Sequence, residues 1–238
     1  MPLRDHPPLP PDNALWFWLH RNLGREPRWT FPDVLTGSGV RLHRLHFDNY
    51  DSLWPLLAEG DTHYVEREYR EREQLYEQVV YLYGYAPFSG KRGAVDYLVL
   101  REEEATEFAE RQLWGSDQGL RQDDERKLTG VVHLYNLSME RFGRGMPNPL
   151  LGVQLAEAHR GTGIADRALD VLEWYVTETY PEATAVTAMI KRENARSIRF
   201  FTRRGYEMST EYSDPNEDRE DTFLVKQLTR RVGGEGKE

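Results

Sequence analysis

The chain has 238 residues and a formal net charge of −9, enough for one substantial core with length left for extensions or insertions. It holds no cysteine, which excludes disulfides, thiolate metal sites and a cysteine nucleophile. The acidic balance argues against nucleic acid as the main partner, and there is neither a bilayer-length apolar run nor a signal-peptide core, so a cytoplasmic protein without a membrane partner is expected.

Residues 1–12 carry Pro2, Pro7, Pro8, Pro10 and Pro11 and read as an extended leader. Asp12 or Asn13 can cap a short helix running to Leu23, with Leu15, Trp18, Leu19 and Leu23 as its apolar stripe. Such a helix is marginal alone. Residues 1–39 also contain Trp16, Phe17, Trp29 and Phe31, so this segment is expected to dock on folded protein, either its own domain or a second subunit. Alternation at Val40 and Leu42 marks the expected first strand. Asp48 reads as the cap of a helix through Leu57, although Pro55 lies within it. Residues 61–83 follow as a charged, tyrosine-rich helix whose opposite charges recur at three- and four-residue spacing.

Residues 95–100 and 128–137 read as paired antiparallel strands. The connection at 101–127 is much longer than a hairpin needs. It suggests a short helix to Trp114 and then a polar stretch, either a substrate-facing flap or a solvated loop. Residues 139–149 form a second enlarged connection.

The stretch 150–206 organises the rest, as strand, glycine-rich turn, helix, strand and helix. Residues 150–156 are an apolar run broken by Gly152 and Gln154, as expected of a strand covered on both faces. Arg160, Gly161, Thr162, Gly163, Ile164 and Ala165 must then turn tightly and open a helix. The first helical turn leaves several N–H groups without intrahelical partners, and the positive end of the dipole lies there, which suits a phosphate. A plain connection that merely needs glycine is the alternative. Residues 194–206 begin with Asn194 and end in Gly205-Tyr206. Residues 207–212 and 222–228 are expected to close the sheet as its last antiparallel pair, ahead of a charged tail at 229–238.

The Arg160-x-x-Gly163-x-Ala165 turn after a strand resembles motif A of the GNAT superfamily of acyl-CoA-dependent N-acyltransferases. Asn194 followed by a short helix and Gly205-Tyr206 is similar to the second signature of that superfamily. Leu151-Gly152-Val153 and Ser197 carry a finer resemblance to its RimJ/RimL-like branch, which acetylates protein N-termini. The resemblance spans roughly residues 39–228. It implies an α/β fold in which a mixed, mostly antiparallel twisted sheet is flanked by helices. The domain would occupy residues 40–228, with 1–39 as an N-terminal extension.

The same resemblance implies acetyl-CoA as cosubstrate, an amine as acceptor and no metal, with self-association as a homodimer left open. The backbone of Val153 and Leu155 would pair with the pantetheine arm. Gly161, Thr162, Gly163, Ile164, Ala165 and Asp166 would offer N–H groups to the pyrophosphate, with charge added by Arg160. Asn194 would hydrogen-bond pantetheine or acceptor, and Ser197 would protonate the leaving sulfur. The superfamily's best-known glutamate base and tyrosine acid are replaced by Met189 and Phe201, the latter still counted among the cofactor-contacting positions. His133, Tyr135 and Glu157 are other candidate proton carriers. A module that binds CoA without catalysis, or an interaction protein on the same scaffold, are the alternatives.

Overall fold

The computed structural model describes residues 31–32, 34–45, 52–53, 74–75, 94–102, 109–111, 128–135, 148–180, 183–210 and 221–229. The expected leader helix, most of the expected helices at 48–57 and 61–83, the connection at 139–147 and the tail beyond 229 lie outside them. Leu53 and Leu75 are described, and both are fully buried.

Among the described residues, nine strands form one sheet: β1 (Val34–Gly37), β2 (Val40–Arg44), β3 (Ala94–Arg101), β4 (Ala109–Arg111), β5 (Leu128–Tyr135), β6 (Leu150–Leu155), β7 (Ala185–Lys191), β8 (Glu207–Ser209) and β9 (Asp221–Gln227). Their order is β4-β1-β2-β3-β5-β6-β7-β9-β8. Every neighbouring pair is antiparallel except β6 and β7, which run parallel. The β6–β7 crossover holds helix α1 (Ile164–Thr179), and helix α2 (Ala195–Arg203) links β7 to β8. A parallel pair needs such a crossover, because a tight turn cannot reverse the chain twice.

Helix α1 forms because its apolar residues recur at helical spacing without glycine or proline. Ile164, Ala168, Leu169, Val171, Leu172, Tyr175 and Val176 are buried. They share one core with Tyr97 of β3, Val132 and Leu134 of β5, Val186 and Ala188 of β7 and Phe201 of α2. Full burial of each large apolar side chain contributes about 1.5–3 kcal/mol. Strand alternation then places Asp96, His133, Tyr135, Gly152, Gln154, Thr187 and Met189 on the opposite face of the sheet.

Two strands depart from the expected layout. The sheet begins at Val34, inside the segment read as an extension, and Leu35 is fully buried between β4 and β2. Ser38 and Gly39 both have positive φ, the geometry of a two-residue hairpin turn whose twist suits the flanking strands. Phe31 is buried as well, and the Tyr97 hydroxyl donates to the Pro32 carbonyl at 3.0 Å. The second departure is β4, a short strand pairing with β1 where a helix toward Trp114 was expected. Pairing along an edge engages backbone groups, so a tripeptide with no strand propensity can take that place. Elsewhere the observed strand ends differ from the expected ones by a residue or a few, with Glu207–Ser209 the most shortened.

Candidate functional site

The site is built where the sheet comes apart. The ladder between β6 and β7 holds a single paired position, Leu150 with Thr187, and the Thr187 N–H donates to the Pro149 carbonyl at 2.8 Å. Beyond Leu150 no pairing between the two strands continues, among the described residues. On its other side β6 stays paired with β5 as far as Leu155 with Gly130, and the Ala156 N–H donates to the Thr129 carbonyl at 3.0 Å. Backbone groups alternate in direction along a strand. With Pro149 facing β7 and Ala156 facing β5, the groups of Val153 and Leu155, beyond the one bridge, point into the gap. Val153 and Leu155 are the two positions the sequence suggested for this role.

At the end of β6 a turn of 3₁₀ helix (Glu157–His159) leads into the loop that opens α1. Gly161 and Gly163 both have φ of +78°, so side chains there would be strained whatever the space. A Cβ built on either would meet no atom within 4 Å, so the loop's outer face is open. Gly163 is the N-cap of α1 and gives the helix no side-chain cap. The Thr162 hydroxyl turns back to donate to the His159 carbonyl at 2.7 Å. Arg160 Nε donates to the Leu155 carbonyl at 3.2 Å, tying the loop to the last residue of β6. Its guanidinium therefore sits at the junction of gap and loop. Ile164 is buried in the core, so its N–H rather than its side chain is what it can offer.

Asp166, in the first turn of α1 beside the glycine loop, is turned away from the loop and occupied. Its oxygens accept from Arg203 Nη2 at 3.0 Å and from Arg204 Nη1 at 3.3 Å. Arg204 continues along the acidic face of α1, donating to Asp170 at 2.7 Å and to Glu173 at 3.0 Å. Glu173 also accepts from the Tyr206 hydroxyl at 2.9 Å and from Lys226 Nζ at 2.6 Å. Burial alone would lower the Arg204 pKa, but the Glu173 charge and the bonds to Asp170 and Glu173 outweigh it and hold the pKa above the ordinary arginine value. Burial first, and then the Glu173 charge, push Tyr206 well above the ordinary tyrosine range. This clamp escaped the reading of the sequence. Its signal was the spacing of Asp166, Asp170 and Glu173 on one helical face, opposite two consecutive arginines.

Asn194 is the N-cap of α2, and its side-chain oxygen accepts from the Ser197 N–H at 3.0 Å. Its oxygen is thereby engaged in folding, and the amide NH₂ is the part suited to donate to a ligand. Ser197, the third residue of α2, is half-buried. Phe201, expected among the cofactor contacts, is 4% exposed and stacks edge-on against Phe200 and Tyr206 with centroids 5.1 and 5.0 Å away. Its ring is a core element, as an aromatic on the buried side of a short amphipathic helix must be. Met189 lies on the other face of the sheet and is 49% exposed.

The remaining proton-carrying candidates divide. Glu157 is exposed in the 3₁₀ turn. His133 is buried on β5, with Nδ1 3.0 Å from Asp96 Oδ1 and 3.3 Å from the Tyr135 hydroxyl. Its Nε2 is 3.1 Å from Gln154 Nε2 on β6. Gly152 lies opposite His133 in the ladder, where a Cβ would come to 3.0 Å from the imidazole Cδ2. Sequence alternation placed His133 and Tyr135 on one face, but the partnership with Asp96 and Gln154 depends on strand register.

No protein-family model matches the chain, and no curated protein matches it closely enough to count. Solved structures do match. RimL, a ribosomal alpha-N-protein acetyltransferase in complex with coenzyme A, is similar at 13% identity and a TM-score of 0.55, over 81% of this chain and 96% of that one. A probable GNAT-family acetyltransferase from Chromobacterium violaceum is similar at 15% identity and a TM-score of 0.54, over 95% and 96% of the two chains. A GCN5-related N-acetyltransferase from Brucella melitensis is similar at 13% identity and a TM-score of 0.56, over 86% and 83%. The parted parallel strands, the glycine loop opening α1 and these likenesses agree: the chain has the fold of the GNAT acetyltransferases.

Proposed function

We propose that the chain transfers the acetyl group of acetyl-CoA to a primary amine, with the α-amine of a protein or peptide as the acceptor. The observation that carries this reading is the gap between β6 and β7, which ends at an uncapped helix N-terminus. An extended pantetheine arm, with its own amide groups, fits as a surrogate strand beside Val153 and Leu155. The pyrophosphate then reaches the N–H groups of residues 161–166, beside Arg160 and the positive end of α1. RimL, which shares the fold, is described as an alpha-N-protein acetyltransferase.

The acceptor nitrogen attacks the thioester carbon, a C–N bond forms and a tetrahedral oxyanion develops, which backbone N–H groups stabilise. The C–S bond then breaks, the sulfur takes a proton from the Ser197 hydroxyl or from water, and the amine's surplus proton passes to solvent. The missing glutamate decides which amine suits the site. Deprotonating a lysine-like amine of pKa ~10.4 near pH ~7.4 costs about 4 kcal/mol, against under about 1 kcal/mol for an α-amine of pKa ~7.7–8.0. Without a strong base, the α-amine is the easier acceptor. A small amine, an aminoglycoside or a polyamine is the alternative acceptor. A cytoplasmic setting and a homodimer belong to the same proposal. Half-exposed Met189, standing where the superfamily's base is expected, favours a second reading, a CoA-binding module without transfer.

Thiol release from acetyl-CoA, measured with tetrapeptides whose α-amine is free or blocked, separates these readings. Transfer to free α-amines alone, rising with an apparent pKa near ~8, is the expected result. A limb near ~6 that ignores the acceptor's basicity would reveal an enzyme base instead. CoA binding without thiol release would establish the second reading.

A further inference from the structure

The cluster of Asp96, His133 and Gln154 occupies three adjacent strands, on the sheet face that Met189 shares. Asp96 and His133 are buried, whereas Gln154 is half-buried on the strand bordering the gap, between Val153 and Leu155. Its chemistry is fixed by who can donate. A carboxylate only accepts, so the imidazole nitrogen facing Asp96 at 3.0 Å, Nδ1, carries the hydrogen. The Tyr135 hydroxyl at 3.3 Å lies along a longer branch of the same interaction. The Gln154 atom 3.1 Å from Nε2 is its amide nitrogen, and an amide NH₂ only donates, so Nε2 is the acceptor of that bond. The Gln154 carbonyl oxygen is consequently turned away from His133.

We propose that Asp96 and His133 are positioning residues which lock the Gln154 side chain, and that Gln154 Oε1 accepts a hydrogen bond from an N–H of the acceptor peptide beside the thioester. An amide oxygen accepts two hydrogen bonds, so this role is compatible with other contacts of Gln154. The lock matters because an unrestrained amide can present either its NH₂ or its oxygen, and only the oxygen suits a donor. Gly152 keeps the arrangement compact, since a side chain there would press on the imidazole. This inference rests on the transferase reading above and deepens it by naming a group that recognises the acceptor.

The test uses the full chain. Nitrogen-15 spectra of the histidines should show His133 as the Nδ1–H tautomer, a result that needs no turnover. Calorimetry with CoA, and then with a free-amine tetrapeptide added to the CoA complex, measures the two affinities separately. Gln154→Leu should weaken the tetrapeptide about tenfold, the order expected for one lost hydrogen bond, and leave CoA affinity unchanged. Gln154→Glu offers an oxygen in either orientation and should keep the peptide affinity. Replacing the buried pair together, Asp96→Leu with His133→Leu, leaves no unpaired buried charge. It should weaken the peptide as Gln154→Leu does, with no further loss when all three changes are combined. An Nε2–H tautomer, unchanged peptide affinity in Gln154→Leu, or an equal loss of CoA affinity would overturn the inference. So would a wild-type chain that binds CoA but no tetrapeptide. If the leucine pair fails to fold, the two Gln154 variants and the spectrum decide alone. If the wild type binds no CoA, the transferase reading itself falls, while the spectrum still judges the lock.

Discussion

Helix α1 serves two regions that treat polar groups in opposite ways. At its N-terminus, the loop around Gly161 and Gly163 leaves the cap without a side-chain partner, and β6 beside it is unpaired with β7 beyond Leu150. Along its acidic face, Asp166, Asp170 and Glu173 are all engaged by Arg203, Arg204, Tyr206 or Lys226. In either region a polar group taken out of water needs a partner. The clamp finds its partners within the chain and fixes α1 against α2 and β9. At the mouth, the partner we propose is an extended, anionic molecule. A rigid clamp holding an open mouth is thus the division of labour.

Breaking the clamp should give the largest effect on stability. Glu173→Ala leaves Arg204 held by Asp166 and Asp170 but removes the carboxylate that accepts from Arg204, Tyr206 and Lys226 together, and should cost about 3 kcal/mol. Thermal unfolding should then fall by about 6 °C or more, with CoA affinity retained at low temperature. An unchanged melting point would show that these three donors find their partners elsewhere.

Breaking the mouth should do the reverse. Gly163→Asp places a carboxylate against the pyrophosphate and should lower acetyl-CoA affinity by about 100-fold, close to 3 kcal/mol. Holding a non-glycine residue at positive φ costs only about 1–2 kcal/mol of stability. An unchanged dissociation constant by calorimetry would remove the loop from the binding site.

Two smaller changes sharpen the contrast. Gly152→Ala should press on His133 and cost about 1–3 kcal/mol in chemical denaturation. Asn194→Ala removes the cap of α2 and should cost about 1 kcal/mol. If Asn194 also touches the bound substrate, its loss will lower turnover by more than the melting shift explains.

The smallest expected effect concerns pH. The folded-state pKa of Tyr206 is raised above its unfolded value of about 10. Its contribution is therefore fully present below that pH and lost as pH rises further. Tyr206→Phe should flatten the alkaline decline in stability. A decline identical to that of the wild type would assign it to other groups.

The sequence made the mouth legible and most of the clamp illegible, for a physical reason. A glycine turn between an apolar run and an amphipathic stretch is local, so Arg160–Ala165 could be read directly, as could α1 and α2. Arg204 and Lys226 meet Glu173 only after the chain has folded, and Asp96 meets His133 only once the register of β3 and β5 is set. Strand β1 was missed because its tetrapeptide is buried throughout and shows no alternation, and β4 because three residues carry no period at all. Phe201 was expected among the cofactor contacts and its ring lies in the core, because a motif position names a residue without stating which way its ring points.

The central claim is that the gap between β6 and β7 receives the pantetheine arm. Residue-resolved amide hydrogen exchange, with and without CoA, tests it most directly. CoA should slow exchange at the Val153 and Leu155 N–H groups and along residues 161–166, while the amides around Glu173 and Arg204 exchange as before. CoA that binds without protecting Val153 and Leu155, or a folded chain that does not bind it, would contradict the account.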